Sequence, residues 1–86
     1  MPTISIFFGV HIRMYHGDHA PPHFHATYGS SDAMIDIRTL TVLDGRLPRR
    51  AMALVLEWAA EHRDELLQNW TLCERLVPLN RVAPLE

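Results

Sequence analysis

Apolar residues recur at every second position through the first half of this chain and at every third or fourth position through the second. Ile4, Ile6 and Phe8 alternate with Thr3, Ser5 and Phe7, and Val10, Ile12 and Met14 alternate with His11, Arg13 and Tyr15. The pattern resumes with Phe24, Ala26 and Tyr28 against His23, His25 and Thr27, then with Ala33, Ile35 and Ile37 against Met34, Asp36 and Arg38. A period of two sends neighbouring side chains to opposite faces of a strand. Gly9 interrupts the first run as a bulge or tight turn, and Gly29-Ser30-Ser31-Asp32 has turn composition. A last short strand is expected over Leu40 to Leu43, with Asp44-Gly45 turning the chain.

Pro48 suits the first position of a helix, where a missing N–H costs nothing. Residues 51–60 are apolar nearly all round, with Glu57 the one charge, so this helix is expected to be buried on more than one side. The extra side suits a partner's surface, a second copy of this chain included, which would make a homodimer through 51–60. Farther on, Leu66, Trp70, Cys73 and Val77 recur at helical spacing. A single helix from Pro48 to Leu76 would run about 43 Å, too long for so small a domain, so a break is expected near His62 to Asp64. The fold class expected is α+β: an antiparallel sheet of four or five strands followed by one or two C-terminal helices packed on one face. The 86 residues make one domain. It is β-rich over 1–45 with a histidine-rich loop at 16–25, helical over 48–76, and ends in an extended tail, 77–86. In that tail Leu79, Val82 and Leu85 are positioned to dock on the sheet or on a partner.

Composition excludes several classes. An apolar fraction of 48% is that of a folded globule. The net charge of −2 lacks the basic excess usual in nucleic-acid binders. All basic residues are arginine, whose planar fork suits phosphate and carboxylate. One cysteine, Cys73, forms no internal disulfide framework and fits a reducing cytoplasm. Neither a signal-peptide pattern nor an apolar run of membrane-spanning length is present, so secretion and membrane spanning are not expected.

Chemistry concentrates in His16-Gly17-Asp18-His19-Ala20-Pro21-Pro22-His23-Phe24-His25, which holds four of the six histidines. By alternation, one sheet face collects Ile4, Ile6, Val10, Ile12, Phe24, Ala26, Ile35 and Ile37 under the helices. The other collects His11, Arg13, His23, His25, Thr27, Asp36 and Arg38. Two chemistries fit that second face. In the first, His19, His23 and His25 ligate zinc or another divalent transition metal, with Asp18 or Asp36 as a fourth ligand or orienting group. In the second, which needs no cofactor, His23 and His25, with His19 next, exchange protons at a phosphodiester. Arg13 and Arg38 would then hold the phosphate. Asp36 is the first choice to orient a ring and fix its tautomer, with Asp18 the alternative. The structural alternative makes His16 and His19 turn residues that hydrogen-bond backbone carbonyls. Arg46, Arg49 and Arg50 form a small basic patch at the helix start, and Trp58 and Trp70 are expected in the core or an interface.

The block Asp18-His19-Ala20-Pro21-Pro22-His23-Phe24-His25 resembles the bacterial domain-of-unknown-function family 4160. So do Met1-Pro2-Thr3-Ile4-Ser5, Ile12-Arg13-Met14-Tyr15, Ile35-Asp36-Ile37, Leu47-Pro48-Arg49-Arg50-Ala51, Glu57-Trp58-Ala59 and Asn69-Trp70. His11 and His16 depart from the family's pattern. The resemblance covers nearly the whole chain and implies a small single-domain protein. It also implies a component of a toxin–antitoxin-like gene pair, partnered by a small protein from a neighbouring gene. The histidine–arginine face makes RNA or another phosphate-bearing ligand the candidate it would meet. It carries over no settled catalytic residues.

Overall fold

Tight turns set the register of the sheet. The computed structural model describes residues 2–86. Its order is β1 (Thr3–Phe7), β2 (Val10–Arg13), β3 (His23–Tyr28), β4 (Ser31–Asp36), β5 (Val42–Gly45), α1 (Arg49–Glu61) and α2 (Arg63–Glu74). The five strands lie in chain order and every neighbouring pair is antiparallel. This is the α+β architecture expected from the change of period. Phe8 and Gly9 join β1 to β2 with φ of 49° and 81°, the two positive values of a type I′ hairpin. Gly29 and Ser30 join β3 to β4 in a second two-residue loop.

The register of β1 differs from simple alternation. Pairing with β2 shifts between Thr3 and Ser5, so Ile4 and Ser5 are both buried. Beyond this bulge the faces exchange: Phe7 is buried and Ile6 is exposed. One extra residue in a strand moves every later side chain to the other face. Ile6 was expected in the core, and the bulge places it outside.

The last strand also lies later than expected, at Val42–Gly45 instead of Leu40 to Leu43. Asp36 causes the delay. Its Oδ1 accepts the N–H groups of Arg38 (2.7 Å) and Thr39 (3.0 Å), and Leu40 adopts φ 57° to complete the turn. Gly45 ends β5 opposite Ala33 with φ 73°, and a Cβ there would clash with the Asp32 carbonyl oxygen. Gly45→Ala is therefore expected to lose about 1–3 kcal/mol of stability in urea unfolding.

The helical half breaks at His62 (φ −124°, ψ 24°), within the interval expected. Neither Gly nor Pro marks the break. The His62 carbonyl accepts the first α2 bond, from Leu66 N–H at 2.9 Å, and the His62 ring meets Glu65 Oε1 at 2.6 Å. Asp64 and Glu65 occupy the first turn of α2, where the helix dipole favours carboxylates. In α1 the buried stripe is Ala51, Val55, Trp58 and Ala59. Met52, Leu54 and Leu56 flank it half-buried, so the helix is less enclosed than its composition implies.

Both helices pack on the face of the sheet that carries Ile4, Phe7, Val10, Ile12, Phe24, Ala26, Ile35 and Ile37. Trp58 sits in the middle, fully buried against Phe7 and Phe24. The tail, free of regular structure, runs beside β1. Val82 N–H bonds the Ile4 carbonyl at 2.8 Å, Asn69 exchanges two hydrogen bonds with the Asn80 backbone, and Trp58 Nε1–H bonds the Ala83 carbonyl at 2.8 Å. That contact covers one sheet edge, a common way of blunting an open strand.

Candidate functional site

The loop between β2 and β3 is tied to α2 and to the segment after it. Gly17 N–H bonds the Cys73 carbonyl (3.3 Å), and the His16 ring donates from Nε2 to the Val77 carbonyl (2.8 Å). At the far end of the loop the Pro22 carbonyl accepts Ile37 N–H (3.0 Å), and the Ala20–Pro21 peptide is cis. These anchors hold Asp18 over the first residues of β3.

Asp18 meets both β3 histidines through one oxygen. Its Oδ2 lies 2.8 Å from His23 Nε2 and 3.2 Å from His25 Nε2, while Oδ1 accepts His19 N–H at 3.1 Å. The two rings stand edge to face with centroids 5.2 Å apart. His23 also packs against Trp70 of α2, and His25 against Tyr15. Exposure separates them. The His23 side chain is 2% accessible and that of His25 is 25%. His23 was expected on an open face, but the Asp18 loop and Trp70 close over it. Of the two β3 histidines, only His25 is open to an outside substrate.

The tautomer of His23 is fixed by its other nitrogen. Nδ1 lies 2.7 Å from the Pro21 carbonyl oxygen, which only accepts, so Nδ1 carries the hydrogen. Neutral imidazole then presents a lone pair from Nε2 toward the Asp18 carboxylate. Two acceptors at 2.8 Å repel unless a proton or a metal cation lies between them. A ring that donates its distal N–H to a backbone carbonyl is also the usual posture of a metal-ligating histidine.

The ligand atoms suit one ion. Asp18, His23 and His25 each offer an atom, all within 4.8 Å of one another. Two donors bound to one ion at ordinary zinc distances stand about 3.0–3.4 Å apart, close to the two Asp18–histidine separations. Two histidines and a carboxylate form a set that zinc accepts with a fourth position open, and that ferrous iron accepts as a facial triad.

Electrostatics favours an ionised carboxylate at this point. Burial alone would raise the Asp18 carboxyl. The hydrogen bond from His25, the charge of His23 and the His19 N–H outweigh it and hold the group below its ordinary range. Cys73 is close enough to feel Asp18, but burial first, then the charges of Asp18 and Glu74, push its thiol up to about 11. It supplies no thiolate at neutral pH.

The other expected site residues fall around this cluster. The His19 side chain is 91% exposed, and its Nδ1 is 3.5 Å from Asp18 Oδ1, so it stands outside the three-residue group. Arg13 is the register partner of His25 across β2 and β3, and its Nη1 donates to Thr27 Oγ1 at 3.4 Å. Arg38 lies in the turn after β4 and lines a shallow groove with Ala20, Pro22 and Trp70. Asp36 does not orient a ring. Its carboxylate is spent on the Arg38 and Thr39 N–H groups, Thr39's foremost, and they hold it below the usual carboxylate range. Sequence reasoning ranked Asp36 above Asp18, because strand alternation places Asp36 beside the histidines. What separates the two is the path of the 17–22 loop, which leaves no periodic signal.

A small five-stranded meander backed by two helices, with two histidines and a carboxylate gathered under one loop, defines the class of domain. The model of the family described as Domain of unknown function (DUF4160) matches residues 9–71, and the chain belongs to that family. No curated protein and no solved structure matches the chain significantly. Among the described residues, no helix is long and apolar enough to cross a membrane.

Proposed function

We propose that Asp18, His23 and His25 bind one divalent transition-metal ion, and that the chain acts as a metal-binding interaction module. The observation that carries this reading is the orientation of His23. Its Nδ1–H is committed to the Pro21 carbonyl, so a neutral ring turns the lone pair of Nε2 on a carboxylate oxygen at 2.8 Å. A cation resolves that opposition. His25 is the accessible member of the set and Arg13 is its register partner on the sheet, which suits a phosphate-bearing ligand such as RNA. The wider setting proposed is the one the family resemblance implies, one member of a toxin–antitoxin-type pair with a small protein partner. Growth arrest and rescue on co-expression with the neighbouring gene tests that setting.

Titration of chelator-stripped protein with zinc, and separately with cobalt or ferrous iron, tests the metal site. One ion per chain is expected by calorimetry. At a free ion concentration of about 100 times Kd, the melting temperature is expected to rise by about 10–20 °C. Stoichiometry well below one, or an unchanged melting temperature in saturating metal, removes the reading.

A second reading, metal-free acid–base catalysis at a phosphodiester, is favoured by Arg13 lying across from His25. It requires cleavage of a labelled RNA that persists in chelator and disappears in His25→Ala.

A further inference from the structure

Away from the histidines, the tip of the β1–β2 hairpin carries an exposed aromatic residue in an unfavourable backbone conformation. Phe8 has φ 49° and is 60% exposed. A bulky residue is rare in the left-handed region, where glycine or asparagine is ordinarily found. Phe8 stays mostly exposed in that conformation. It forms one wall of a groove of about 200 Å³ whose other walls are Tyr28, Pro48, Arg50, Ala51 and Leu54. Tyr28 is itself 40% exposed. The volume is below the usual range for small-molecule and cofactor sites. It is room for one large side chain, since an apolar cavity of about 150 Å³ takes up benzene.

Arg50 lines the groove, and Arg46 and Arg49 stand near it in the chain. Arg46, Arg49 and Arg50 are all exposed, and among the described residues no carboxylate lies within ion-pair distance of any of them. Asp32 and Asp44, on the neighbouring strands, do not pair with them. The first turn of α1 contains no acidic residue and its N-cap, Pro48, makes no side-chain cap. The unpaired N–H groups of that turn add to the positive potential. The chain's net charge is −2, so this cationic end is local and runs against the overall balance.

We infer that this groove docks an acidic peptide segment of a partner protein, with one aromatic or large aliphatic side chain seated between Phe8 and Leu54 and flanking carboxylates on the arginines. The apolar hollow selects the anchor, and the arginines select the sign of its neighbours. Arginine is suited to this use because its fork holds a carboxylate by two hydrogen bonds. None of the groove residues belongs to the histidine cluster, so this inference and the metal site stand or fall separately.

Selection from a random twelve-residue peptide display library on the immobilised full chain, followed by fluorescence polarisation with a labelled synthetic copy of the consensus, tests the inference. The expected consensus has one Trp, Phe or Leu flanked by at least two acidic residues. Its affinity is expected to weaken as salt rises, and to fall at least tenfold in Arg50→Glu and in Phe8→Asn. Phe8→Asn relieves the left-handed residue, so it is expected to fold and to melt no lower than the parent. Loss of peptide binding in a variant of unimpaired stability isolates docking from folding. No enriched peptides, a basic consensus, or equal binding by both variants overturns the inference. A single-stranded oligonucleotide that displaces the peptide at equal salt overturns it too, as does a dimer in sedimentation velocity that Phe8→Asn dissolves, since each assigns the surface to a different occupant.

Discussion

Asp18→Asn is expected to weaken zinc binding at least 100-fold while leaving the metal-free protein as stable as the parent in mildly alkaline buffer. The two halves of this result have one cause. Asparagine keeps the shape of the side chain but offers a neutral amide in place of the anionic ligand, and a hundredfold loss corresponds to about 2.7 kcal/mol of binding. In the metal-free chain the amide N–H can donate to the lone pair on His23 Nε2, which faces the carboxylate at 2.8 Å in the parent. The substitution thus exchanges two opposed acceptors for a hydrogen bond. A purely structural ion pair predicts the reverse: Asp18→Asn would destabilise the chain, and zinc would shift neither protein. His23→Gln is expected to lose binding as well, whereas His19→Ala, at an exposed ring outside the cluster, is expected to stay within about threefold of the parent.

Acid titration gives a further check on the same carboxylate. The Asp18 carboxyl is held below its ordinary value of 3.8 in the folded chain. A depressed carboxyl stabilises the fold only while it is ionised. That contribution is present above pH 3.8 for as long as the neighbouring rings donate to the carboxylate, and it is lost as pH falls through the lower folded value. Below pH 4, the metal-free parent is therefore expected to lose stability more steeply than Asp18→Asn in chemical unfolding followed by circular dichroism.

Trp58→Ala is expected to cost about 3–5 kcal/mol, enough to leave a chain of this size largely unfolded at 37 °C. Trp58 is fully buried, with Phe7 at 5.3 Å, Phe24 at 5.9 Å and the His62 ring at 5.5 Å between centroids. It joins the sheet, α1 and the helix break in one contact set. Its Nε1–H also holds the tail through the Ala83 carbonyl. Alanine leaves a large void and frees that carbonyl. Trp58→Phe separates these contributions: most of the packing stays, one hydrogen bond goes, and a loss of about 1–2 kcal/mol is expected. Thermal melts of the two variants, with hydrogen exchange at Val82, check whether the tail loosens before the core does. A Trp58→Ala protein that melts within a few degrees of the parent would falsify this account of the core.

The change of hydrophobic period was legible because it reports local geometry. The alternation locates β2, β3 and β4, though β4 starts two residues early, at Ser31 within the expected turn, and β2 and β4 each end two residues before the alternation does. The helical break was legible from length alone, since a rod of that length does not fit a domain with a longest extent of 33 Å. The bulge in β1 was not, because Ile4-Ser5-Ile6 reads as perfect alternation. Only the pairing with β2 shows that two adjacent residues face inward. The late start of β5 was hidden for a related reason. Asp36 caps a turn with its own carboxylate, and nothing in the flanking residues marks that use over a role on the strand face.

The amino-acid sequence by itself determined the α+β class, the antiparallel meander, the buried helix stripe and the concentration of imidazole after the double proline. These follow from side-chain periodicity, from Gly and Pro at turns, and from residue identity, all of which act over a few positions of chain. The tertiary structure alone decided which carboxylate joins His23 and His25, which histidine is closed off from solvent, and that Phe8 and Tyr28 meet the start of α1. Those outcomes depend on loop closure and on packing between segments far apart in the chain, where no local pattern fixes distance or direction.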